Sequence, residues 1–107
     1  MKLMLANIHT IDDKIIADIQ FQHEGFVMIN SIDVSHVNTK ETRRFIREVV
    51  MLGKKRSIDL SNDEDSIIVD KFGLKLIIGN TKITYRQSED IITQFGEMLS
   101  DIVNYMS

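Results

Sequence analysis

The sequence predicts an α+β domain in which two antiparallel meanders are each followed by a helix, in the order βββα-ββββα. Most of the chain consists of short stretches in which apolar and polar residues alternate, separated by residues that favour turns. Two further stretches, one central and one at the carboxyl end, follow helical periodicity instead. A length of 107 residues fits one domain, so 1–107 is predicted to fold as a single unit.

The first three strands are predicted at 2–11, 14–21 and 26–34. Asp12-Asp13 and His23-Glu24-Gly25 supply the turns between them, because Asp and Gly tolerate the backbone angles that tight turns need. Connections this short join neighbouring antiparallel strands. One face of the second strand is apolar and consists of Ile15, Ala17, Ile19 and Phe21.

The first helix is predicted at 39–52. Asn38 with Glu41 resembles a capping box, and Thr39 is the other candidate for the N-cap. Gly53 is suited to the position just beyond the carboxyl end. The apolar stripe that should face the sheet consists of Phe45, Ile46, Val49 and Leu52.

The second half of the chain repeats this plan. An acidic loop is predicted at 62–65, and Phe72-Gly73 and Gly79-Asn80 are predicted to form tight turns. The four strands around these turns are predicted at 57–61, 66–71, 74–78 and 81–86.

The last helix is predicted at about 88–105, with Ser88 as its N-cap. Gly96 lies in the middle of this helix, where glycine costs about 1 kcal/mol relative to alanine, so close packing or an exposed position must account for it. The periodicity is the strongest in the chain and predicts a long amphipathic helix packed on the sheet. Its buried face should consist of Ile91, Ile92, Phe95, Leu99, Ile102 and Val103.

The order of these elements resembles the pleckstrin-homology-like barrel. In that fold seven short antiparallel strands are followed by a long helix that plugs one open end. The helix at 39–52 would be an insertion in this plan. Because the resemblance lies in the order of elements alone, a barrel with an inserted helix is the alternative fold prediction.

Motifs that would indicate catalysis or a cofactor are missing from the sequence. Cysteine is absent, the nucleophile elbow and the glycine-rich phosphate loops do not occur, and no two histidines have the spacing of metal ligands. Asp59, Ser61 and Asp63 match the start of a calcium loop, but Glu64 replaces its obligatory glycine. The sequence therefore predicts no enzyme, no cofactor and no metal site.

Positive charge is concentrated between residues 40 and 56. This segment has seven basic and two acidic residues, a net charge of +5, whereas the rest of the chain has six basic and fourteen acidic residues. Helical spacing places its cations on the side opposite the apolar stripe, and arginine offers bidentate recognition of carboxylates and phosphates. The predicted binding surface, called the basic surface below, consists of Lys40, Arg43, Arg44, Arg47, Lys54 and Lys55.

These features predict a small non-catalytic protein that binds another macromolecule, most simply a protein. Inhibitors, accessory proteins, antitoxins and immunity proteins of bacteria, phages and other mobile elements have this character. A module that binds nucleic acid or phosphate through helix 39–52 is one alternative. A structural or assembly subunit that oligomerises through a sheet edge is another. The sequence also predicts a homodimer or a partner complex built on the last helix or on an edge strand such as strand 2–11, which has few charges.

The location predicted from the sequence is cytoplasmic, without a membrane partner. The apolar stretch at 1–6 is too short for a signal peptide. No apolar run approaches the ~18 residues that a membrane-spanning helix needs.

Overall fold

The structure, a computed structural model, describes residues 2–86 and 89–107, and of His23 and Glu89 it describes the backbone alone. It contains two antiparallel sheets and two helices, which confirms the predicted α+β class and order of elements. The first sheet has the order β1-β2-β3, where the strands are β1 (Lys2–Ile11), β2 (Lys14–His23) and β3 (Phe26–Asp33). The second has the order β4-β5-β6-β7, with β4 (Ile58–Asp59), β5 (Ser66–Asp70), β6 (Gly73–Ile78) and β7 (Thr81–Arg86).

The helices are α1 (Lys40–Ile46), which continues into a π-helical turn at Arg47–Met51, and α2 (Glu89–Met106). Thr39 is the N-cap of α1, since its hydroxyl accepts a hydrogen bond from the backbone N–H of Thr42 at 3.1 Å. The predicted cap of α2, Ser88, lies outside the described residues.

Two-residue turns set the register of the first sheet. Asp12 and Asp13 both have positive φ angles, as do Glu24 and Gly25, which is the conformation that matches the twist of paired strands. The resulting register places apolar residues from all three strands on one buried face. These residues are Leu3, Ala17, Ile19, Phe21 and Ile32.

The fourth strand is much shorter than the predicted span 57–61. The Asp59 carboxylate accepts a hydrogen bond from the N–H of Ser61, and the Ser61 hydroxyl accepts one from the N–H of Ile67. One more backbone bond, from the N–H of Leu60 to the carbonyl of Ile67 at 2.8 Å, follows Asp59, and the side-chain bonds replace the ladder beyond it.

Strand pairing stays within each sheet in the part of the chain that the structure describes. Because none of these strands pairs with a strand of the other sheet, they do not form the single barrel with an inserted helix that was the alternative prediction. Instead α2 packs against β1 of the first sheet and β6 of the second, and also against α1. All six residues predicted to form the buried face of α2 are buried, which confirms that prediction.

The two helices approach each other closely at Gly96. A methyl group added there would lie 2.7 Å from Val50 Cγ2 and 3.7 Å from Val49 Cγ1, both of which belong to the π-helical turn. Next to this contact, the Phe45 and Phe95 rings meet edge to face with their centroids 6.1 Å apart. Close packing against α1 and its extension thus accounts for the glycine in mid-helix.

Replacement of Gly96 by Ala is expected to destabilise the protein by about 1–3 kcal/mol, since overpacking outweighs the gain in helix propensity. Urea unfolding measures the effect. Glu97→Ala, on the exposed side of the same turn, is the control, and Val50→Ala combined with G96A should recover part of the loss. A G96A variant as stable as the wild type would show that the helices do not meet at this distance.

Candidate functional site

The six predicted residues of the basic surface are all exposed and lie on one continuous segment of the chain. Lys40, Arg43 and Arg44 belong to α1, and Arg47 opens the π-helical turn. Lys54 and Lys55 follow Gly53, which has a φ of 65° and turns the chain away from the helix axis. The structure therefore presents the helix cations and the loop cations to solvent together.

A buried carboxylate organises one side of this surface. The Glu48 side chain is only 8% exposed, and Arg56 donates to it from both Nε and Nη2, the latter 3.2 Å from Oε1. Arg44 Nε lies 3.5 Å from the same Oε1. Hydrogen bonding from Arg56 lowers the pKa of Glu48, burial opposes the shift, and the charges of Arg56 and Arg44 add to the lowering.

Arg56 was not among the residues predicted from the sequence. It lies eight positions after Glu48, beyond the end of the helix, so helical spacing gives no signal for the pair. The pair ties the loop 52–57 back to the helix, which fixes where Lys54 and Lys55 project.

The remaining cations of the surface are less constrained. Arg43 Nη1 donates to the side-chain oxygen of Asn38 at 2.9 Å, a neutral partner, and Arg43 forms no ion pair with the described residues. Within residues 2–86 and 89–107, Lys40, Arg47, Lys54 and Lys55 form no ion pair. Their charges are therefore available to a ligand.

Two large apolar side chains stand exposed beside these cations. Met51 is 75% exposed and Leu52 is 57% exposed. The prediction that Leu52 belongs to the buried stripe is wrong, because the N–H of Leu52 bonds to the carbonyl of Arg47, five residues back. This wider turn contains an extra residue and displaces Leu52 around the helix axis, away from the core.

A second charged surface, the acidic cleft, lies where the acidic loop meets the end of the first sheet. The cleft has a volume of about 530 Å³, and its walls include Asp33, Asp63, Glu64 and Asp65, together with Lys14. A hydrogen bond with Ser35 lowers the pKa of Asp33. The Asn62 side chain accepts from the N–H groups of Glu64 and Asp65, so the loop is held by its own turn.

The predicted absence of a metal site stays a prediction. No group of three or more potential ligands is gathered among the residues whose positions are described. Of the histidines, His36 contacts the Leu60 carbonyl at 2.9 Å and His9 contacts Asn7 at 3.4 Å, while the side chain of His23 is not described. Asp59, at the start of the partial calcium motif, accepts from the N–H of Ser61.

Comparisons with family models, with curated proteins and with solved structures find no match to this chain or its fold. Neither helix, over the residues described, is long and apolar enough to cross a membrane.

Replacement of Glu48 by Gln is expected to lower stability most at neutral pH. Because the folded pKa lies below the ordinary value of 4.5, ionised Glu48 stabilises the native state above that value. This contribution disappears as the pH falls below 4.5 through the folded pKa. The difference between wild type and E48Q in the urea midpoint should therefore shrink in acid.

Glu41→Gln is the matched control, because Glu41 is exposed on the same helix and contributes no buried ion pair. Its urea midpoint should follow that of the wild type across the pH range. A difference for E48Q that does not change with pH would mean that the ionised carboxylate is not what holds Arg56.

Proposed function

We propose that this protein is non-catalytic and acts by binding another macromolecule through the basic surface, as small inhibitors, accessory proteins, antitoxins and immunity proteins do. The observation that carries the proposal is the exposure of Met51 and Leu52, which lie in the sequence between Arg47 and the lysines of the following loop. Protein interfaces commonly combine an apolar centre with a polar rim that contains arginine. Here both components come from one segment.

A protein partner with an acidic surface around an apolar pocket fits this arrangement best. Cations at the rim would guide association, and the apolar pair would provide contact area that is less sensitive to salt. Segment 40–56 contains one aromatic residue, Phe45, which is buried and so offers no base a stacking platform. We place this function in the cytoplasm, with bacteria and their phages or mobile elements as the proposed source.

A nucleic-acid or phosphate-binding module is the second candidate. Arg43 and Arg47 favour it, because their guanidinium groups pair with no carboxylate of the described chain and can bind phosphate in a bidentate manner. The two candidates differ in salt dependence. Binding to phosphates weakens steeply with salt, whereas binding to an acidic protein surface weakens less.

Combined replacement of Arg43 and Arg47 by Ala is expected to weaken partner binding while leaving thermal stability nearly unchanged. Each lost charge-assisted contact is worth about 1.5–3 kcal/mol. The matched control is Lys75→Ala with Lys82→Ala, which removes the same charge from exposed positions of the second sheet. The measurement is recovery of a partner from extracts of the source cells, followed by titration calorimetry with that partner.

Met51→Ser combined with Leu52→Ser tests the apolar part of the surface. This variant should also weaken binding, but without changing the slope of affinity against salt. If the R43A/R47A variant binds as well as the lysine control, the basic surface is not the binding site. A steep salt slope together with normal binding by the serine variant would favour nucleic acid.

A further inference from the structure

The two sheets have four edges, and three of them are protected against pairing with another strand. Along β1, Leu3 N–H donates to Gln94 Oε1 at 2.8 Å and the Thr10 hydroxyl lies 3.0 Å from the Tyr105 hydroxyl, so α2 covers that edge. The edge strand β4 has two residues. The remaining protected strand, β7, carries exposed Lys82 and Arg86.

The fourth edge, β3, has none of these protections from Phe26 to Asn30 among the described residues, and the loop 62–65 borders it only at its carboxyl end, where Ser31 and Asp33 line the acidic cleft. No residue from 25 to 32 is charged, and the strand contains no proline. Val27 and Ile29 are 58% and 59% exposed and point away from the core, opposite Gln22 and Gln20 of β2. An uncharged, apolar edge of this length is the kind that pairs with another strand.

The backbone groups that face outward along β3 follow from its register. His23 and Phe26 flank a two-residue turn and so form a hydrogen-bonded pair, and the N–H of Val34 bonds to the carbonyl of Ile15. Because hydrogen-bonded pairs alternate along an antiparallel ladder, the backbone groups of the even-numbered residues of β3 bond to β2. The odd-numbered residues face outward. The carbonyl of Asp33 lies 3.5 Å from the Asn62 side-chain nitrogen, and Val27, Ile29 and Ser31 have no backbone partner among the described residues.

We propose that β3 pairs antiparallel with β3 of a second copy of this chain, about a two-fold axis at Ile29. Val27 and Ser31 lie two residues on either side of Ile29. An axis at Ile29 therefore places Ile29 opposite the partner's Ile29 and Val27 opposite the partner's Ser31. Each such pair exchanges two backbone hydrogen bonds. The result is a continuous sheet of six strands, three from each copy.

The charges of the strand favour a second copy as the occupant. On the two-fold axis a charged residue at position 29 would face its own duplicate, and like charges directly opposite are destabilising. Residues 25–32 avoid this because none is charged. Pairing also stops at two copies, since α2 covers the other edge of the same sheet.

Sedimentation equilibrium over about 10 μM to 1 mM should show a concentration-dependent dimer of the wild-type chain. Ile29→Lys should weaken self-association at least about tenfold, because two lysines would then meet at the axis. Ile11→Lys is the control, since Ile11 is also exposed on this sheet but lies on β1. It should dimerise like the wild type.

Mixing charge variants tests the register. Ile29→Lys and Ile29→Glu should each be monomeric alone, whereas an equimolar mixture should form a heterodimer because the opposite charges meet at the axis. Circular dichroism checks that both variants are folded. If both are unfolded, Ile29→Thr, which keeps a β-branched residue, should still weaken the wild-type dimer in part.

A wild-type chain that stays monomeric at the highest concentration would overturn the proposal, as would a dimer that I29K leaves intact. If β3 instead binds a peptide from another protein, the wild-type chain alone stays monomeric, which is the first of these outcomes. The result is independent of the proposed function, because β3 shares no residue with the basic surface. R43A/R47A should therefore dimerise like the wild type.

Discussion

The close contact between the π-helical turn and Gly96 determines how the charged part of the molecule is arranged. With Val49 and Val50 held against α2, the residues on either side have fixed directions. Glu48 is buried where Arg56 can reach it from the following loop, and Met51 and Leu52 point to solvent. One steric requirement, the lack of a side chain at position 96, thus sets the geometry of a surface on a different helix.

The fold could be predicted largely because its signals are local. Asp12-Asp13 and Glu24-Gly25 specify hairpins by themselves, and the apolar repeat of α2 is long enough to fix its buried face. The prediction was wrong at Leu52 because α-helical spacing was extended through a turn with π-type bonding, which residue types do not reveal. The strand predicted at 57–61 is longer than the observed strand, because side-chain hydrogen bonds of Asp59 and Ser61 end the ladder.

The candidate site could be predicted in its charges but not in its contacts. Lys40, Arg43 and Arg47 stand out from the composition of one segment. The Glu48–Arg56 pair depends on a loop that returns to the helix, so no periodic pattern signals it. The free edge was likewise beyond sequence reasoning: β1 has few charges, but only the tertiary structure shows that α2 lies along it and leaves β3 open.

The contact between β1 and α2 also joins the beginning of this sequence to its end. Leu3 and Gln94 are 91 positions apart, and Thr10 and Tyr105 are 95 apart. During synthesis on the ribosome the first three strands emerge long before the helix that covers them, although their hairpins need only local contacts to form. Until α2 has emerged, the nascent first sheet therefore has two open edges, and the emergence of α2 is the step that closes one of them.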